Sequence, residues 1–180
     1  MLKIAGCLLI AAFAQTTLPQ RIGSGLALID WLLLITAYVS LLREPTSALL
    51  TATAAGVLFD ASSGAPVLGV SGLSKVLAAY FVYQISSMIV LEHFLIRLLM
   101  VALATIVDLS TTLVFYRILK FDLPSHLTGT RSIYASILLA VTVNLIVSLL
   151  LFPLLDRLFR TGHSRRIGRS EPFSSLKRRW

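Results

Sequence analysis

The chain has 180 residues, 57% of them hydrophobic, with 16 Lys/Arg against 8 Asp/Glu and a formal net charge of +8. A mean hydropathy of +0.87 excludes a water-soluble globular fold, because too few polar residues remain to cover a surface, and makes lipid the solvent of most of the chain. The length leaves no room for a soluble enzyme domain beside the membrane domain, and topology with anionic head groups accounts for a pI near 10.3 without nucleic acid.

The charge is unevenly placed. Residues 1–156 carry eight Lys/Arg against seven Asp/Glu, whereas residues 157–180 carry eight against Glu171 alone. The expected organisation is a hydrophobic transmembrane domain over 1–156 and a basic cytoplasmic tail, disordered by composition, over 157–180. Cys7 is the only cysteine, which excludes an internal disulfide and a multi-thiolate metal site.

In chain order, Ile4-Ala5-Gly6-Cys7 has the form of a lipoprotein box, but no apolar region precedes it. Lys3, the apolar run to Phe13 and Ala12-Phe13-Ala14 imitate a secretory signal. An uncleaved first span is preferred, because apolar character resumes soon after Gln15-Thr16-Thr17. Taking about 20 apolar residues per crossing, the sequence predicts spans at 3–19, 26–42, 46–60, 73–91, 94–118 and 132–155. The third is the weakest, being short and rich in Ala and Thr. The fold class is therefore an all-α integral membrane protein, a six-helix transmembrane bundle. Polar and Gly/Pro-rich breaks separate the spans: Pro19 to Gly25, Arg43-Glu44-Pro45, residues 60–72, Glu92-His93 and Lys120 to Arg131. An even number of spans puts both termini on one side, and the basic tail assigns that side to the cytoplasm.

Several residues stand out against this background. Asp108 lies 11 residues, about 16 Å, from Arg97 at the end of the fifth span, and Asn144 lies at similar depth on the sixth. With Gln84 they form an expected intramembrane polar knot. A ligand or proton site and an interhelical hydrogen-bond clamp are the alternatives, and the clamp is preferred. Ala48, Ala52, Gly56 and Asp60 recur every four residues along one stripe of the third span. That stripe is either a groove for a partner helix or a packing face within the bundle. Lys75 is expected to snorkel to the interface. In the tail, Arg157, Arg160, Arg165, Arg166, Arg169, Lys177, Arg178 and Arg179 are expected to meet anionic lipid or a cytoplasmic partner. No motif for a cofactor or metal is present in the sequence.

Gly69-Val70-Ser71-Gly72 matches the short Gly-x-Ser-Gly signature of rhomboid proteases, but the sixth span offers Asn144 where that family has its histidine base. A broader pattern resembles the MreD family. It comprises Gln15-Thr16-Thr17, Asp30 opening the second span, Tyr38 followed by Arg43, and above all Gly56-Val57-Leu58-Phe59-Asp60 with Leu68-Gly69 and Leu73 following. The chain departs from it at Ile29, where Pro is frequent, and at Glu44, where Gly is frequent. The resemblance implies a fold similar to the S components of energy-coupling-factor vitamin transporters. It implies a non-catalytic scaffold of the bacterial Rod machinery in the inner membrane, binding MreC and through it linking MreB and the cell-wall synthases. Gly56, Asp60 and the loop to Gly69 would be its partner-facing or fold-defining element. The rival readings are a vitamin-capturing transporter subunit, with Asp108, Asn144 and Gln84 lining its pocket, and a Ser71 protease.

Overall fold

A computed structural model describes residues 2–22, 28–63, 67–89, 94–121 and 133–163. Among the described residues it is all-helical, with α1 (Leu2–Ile22), α2 (Trp31–Leu41), α3 (Pro45–Ser63), α4 (Val70–Met88), α5 (Phe94–Ile118) and α6 (Ile133–His163). Each apolar run read as a span forms one helix. The Glu92-His93 corner, the stretch 122–131 and the tail beyond His163 lie outside the described residues.

Two segments, Phe94–Ile118 in α5 and Tyr134–Phe159 in α6, are long and apolar enough to cross a membrane by themselves. The expected second span shrinks: α2 has 11 residues, or about 16 Å, roughly half a hydrocarbon core of about 30 Å. It is also the most enclosed helix, buried at every position from Leu32 to Leu41 and packed against α1, α3, α4 and α5. A helix that is apolar all round belongs at the centre of a bundle.

Local chemistry sets the helix ends. The Asp30 carboxylate caps α2, its Oδ1 accepting from Leu33 N at 2.8 Å. Arg43 then takes a left-handed conformation, φ 62°, and its guanidinium donates to Ile89 O at 2.6 Å, tying the α2–α3 corner to the end of α4. Pro45 opens α3 where its missing N–H costs nothing.

The chain divides into two compact units, Met1–Leu149 and Leu150–Trp180. The first holds α1 to α5 and α6 as far as Leu149; the described part of the second is the remainder of α6. Pro153 lies inside α6 and has no N–H for the carbonyl four residues earlier, so the helical ladder is interrupted at that boundary.

The closest packing joins α3 to α4. Ala48 and Ala52 are fully buried, and a Cβ added at Gly56 would stand 2.6 Å from Gly72 N, 2.8 Å from Ser71 O and closer still to Gly72 Cα. Only glycine permits that approach. The small-residue stripe is therefore a packing face inside the bundle. The reading as an open partner groove does not hold at Gly56, where the α4 backbone already stands.

Candidate functional site

The short α2 has a physical consequence. Its N-terminus falls within the bundle, and the first turn of a helix has backbone N–H groups with no intrahelical acceptor. Side chains from three other segments answer them or their cap. Gln15 Oε1 of α1 accepts from Trp31 N at 3.0 Å. Asn144 Oδ1 of α6 accepts from Asp30 N at 3.2 Å. Lys75 Nζ of α4 lies 2.5 Å from Asp30 Oδ2.

Lys75 joins this terminus to α5. Its ammonium lies 3.5 Å from Asp108 Oδ2 and 4.5 Å from the centre of the Phe59 ring, a cation–π distance. Ser74 Oγ donates to Asp108 Oδ1 at 2.7 Å, so both carboxylate oxygens of Asp108 are occupied. Asn144 completes the set by donating from Nδ2 to Thr105 Oγ1 at 3.4 Å. Lys75 is 1% exposed and Asn144 0%, while the Asp30 side chain keeps 15% exposure. Two carboxylates thus flank one ammonium at a largely buried site, the arrangement in which a buried charge persists.

Asp108 and Asn144 both belong to this cluster. Gln84 does not: it is exposed, two residues from Val82 and two from Ser86, which are both buried. Two residues turn a helix by about 200°, placing Gln84 on the opposite face. Lys75 is also corrected, since it turns inward to two carboxylates instead of snorkelling. Its burial was signalled by its place among Ser71, Ser74, Ala78, Ala79 and Val82, the small, buried face of α4. Asp30 carried the ordinary sign of a helix cap, an aspartate directly before an apolar run. Nothing local linked Lys75 to it.

A second polar point lies where α3 gives way to α4. Asp60 Oδ2 accepts from Gly69 N at 2.6 Å, closing the connection, and Gly69 adopts φ 100°. Asp60 Oδ1 is buried and has no hydrogen-bond partner among the described residues. Ser71 sits at the α3–α4 crossing, its carbonyl facing Gly56. His93 and His126 lie outside the described residues, and His163 ends α6. Arg157 is exposed on α6, Arg160 lies in the same helix, and Arg165, Arg166, Arg169, Lys177, Arg178 and Arg179 lie outside the described residues.

The family model described as rod shape-determining protein MreD matches residues 2–161. No curated protein and no solved structure matches the chain.

Proposed function

The chain belongs to the MreD family of rod shape-determining proteins, and from that premise we propose that it is a non-catalytic scaffold of the bacterial Rod machinery. In this reading all six helices lie in the inner membrane, in a bundle like that of the S components, with both termini in the cytoplasm. The domain ends near residue 156 and the basic tail follows. The scaffold binds MreC, and through MreC it supports cell-wall synthesis guided by MreB.

The match over residues 2–161 carries the proposal. The buried cluster supports it, because Asp30, Lys75, Asp108 and Asn144 are engaged with one another and brace α2, α4, α5 and α6. With Gly56 against α4 and Ala48 and Ala52 buried, lateral contact passes to exposed apolar faces. One is on α1, where Leu9, Ile10 and Phe13 are 64%, 72% and 71% exposed. An apolar face of this kind suits a single spanning helix packing by shape within lipid.

Affinity purification of the tagged chain from its own membranes in mild detergent, with mass-spectrometric identification of retained proteins, tests the proposal. Recovery of MreC with cell-wall synthases is the expected result. Recovery of a transporter ATPase pair with its membrane coupling subunit would overturn it in favour of vitamin capture.

A further inference from the structure

The α4 helix has a second face, turned away from the charge cluster. At about 100° per residue, Leu73, Tyr80, Gln84 and Met88 fall within one arc of about 80°. Leu73, Tyr80 and Met88 are 44%, 50% and 75% exposed, and Gln84, at the centre of the arc, is exposed too. The backbone carbonyl of Gln84 accepts from Ser87 Oγ at 2.7 Å, but its side-chain amide has no hydrogen-bond partner among the described residues. Side chains on a helix point back toward its N-terminus, so the amide reaches toward Tyr80 and away from the corner where Arg43 donates to Ile89 O. With α4 spanning the membrane, that direction leads deeper into hydrocarbon, where an amide without a partner is strongly disfavoured.

Whatever covers this face must bring a polar group to the depth of Gln84. A second copy of the chain does so without further requirement. Two copies inserted in the same orientation hold Gln84 at the same depth, and a two-fold axis along the membrane normal sets one amide against the other. An amide both donates and accepts, so such a pair satisfies itself reciprocally, as polar side chains between membrane helices do. Leu73, Leu77, Tyr80 and Met88 around it carry no charge, so the face offers a charged helix no counter-charge and repels no copy of itself. From Leu73 to Met88 it runs about 22 Å, most of a hydrocarbon core of about 30 Å.

We infer that this face of α4 is the contact surface of a homodimer, in which Gln84 of one copy hydrogen-bonds Gln84 of the other. The inference rests on the membrane-spanning placement in the proposed function and leaves the α1 face to MreC.

The test is oxidative cross-linking of the full chain in its own membranes, with Cys7→Ser as background. Leu77→Cys lies on the α4 arc seven residues from Gln84 and leaves the amide in place; Leu99→Cys, on an exposed position of α5, is the control. Leu77→Cys is expected to give a disulfide-linked dimer and Leu99→Cys to stay single. Energy transfer between differently labelled copies in lipid vesicles then measures association. Gln84→Leu should weaken it about three- to tenfold, the effect of one hydrogen bond between membrane helices, and Gln84→Asn, which keeps an amide, should weaken it less. Gln84 lies outside the packed interior, so these variants keep the fold of a single copy. No dimer from Leu77→Cys, equal cross-linking of Leu99→Cys, or association of Gln84→Leu equal to wild type would each overturn the homodimer. An alkaline wash of membranes separates the two levels of failure. Release of the wild-type chain would remove the spanning placement and the contact face together, whereas a chain that stays in the membrane and retains MreC as a single copy removes the homodimer alone.

Discussion

The ammonium of Lys75 stands 2.5 Å from the carboxylate of Asp30, across 45 residues of chain. This contact joins the first turn of the central helix α2 to the interior face of α4. Removing the cation leaves the Asp30 and Asp108 carboxylates facing the same largely buried space. Lys75→Met is expected to cost about 3–5 kcal/mol, the penalty for breaking a buried pair from one side. Adding Asp30→Asn and Asp108→Asn should return most of that loss. Unfolding titrations in mixed detergent micelles measure both.

Gly56 and Gly72 give a paired test. Gly56→Ala places a methyl group against the α4 backbone and should cost about 1–3 kcal/mol through overpacking. Gly72→Ala meets nothing within 4 Å and should be neutral or slightly stabilising, since alanine is the better helix former. Thermal unfolding of the two variants in one detergent should separate them. Equal behaviour would mean that α3 and α4 do not cross at Gly56.

Asp60 closes the α3–α4 connection through Gly69 N. Asp60→Ala leaves that N–H without its acceptor and should cost about 1–3 kcal/mol. Asp60→Asn keeps an acceptor and should be the milder change. Limited proteolysis across residues 61–69 reads the difference as earlier cutting in the alanine variant.

Asn144→Leu removes the acceptor of Asp30 N and the donor to Thr105. The expected loss is on the order of 1–2 kcal/mol, since membrane-buried hydrogen bonds are individually modest and an orphaned N–H adds its own cost. Gln84→Leu, on the exposed face of α4, should change stability by no more than about 0.5 kcal/mol. Comparing the two in the same unfolding assay checks which polar residue belongs to the cluster.

Much of the helix layout was legible because lipid imposes a simple rule: long apolar runs with polar breaks become helices. α5 matches its expected limits of 94 and 118, and α3 begins within one residue of its expected start. Asp108 and Asn144 were legible as polar residues inside long apolar segments, where they need partners. The identity of those partners was not. Lys75 lies five residues inside α4, close enough to the helix end for a snorkelling lysine, and only the packing of α2 against α4 turns it inward. Gln84 fails for a related reason: depth along a helix was legible, whereas the face it occupies depends on what packs beside it. The shortness of α2 was hidden because Leu28 and Ile29, directly before Asp30, continue the hydrophobic signal without belonging to α2.

The charge cluster also sets an order of events during synthesis. Asp30 emerges from the ribosome 45 residues before the lysine that pairs with it, and Asp108 follows 33 residues after that lysine. At about 5–20 residues per second the first wait lasts roughly 2–9 s. Throughout it the nascent α2 carries an unpaired carboxylate, which disfavours settling in hydrocarbon alone. The early helices therefore gain their final charged partners only when α4 and α5 arrive, and a chain arrested between Asp30 and Lys75 keeps an unpaired charge that distinguishes it from the finished protein.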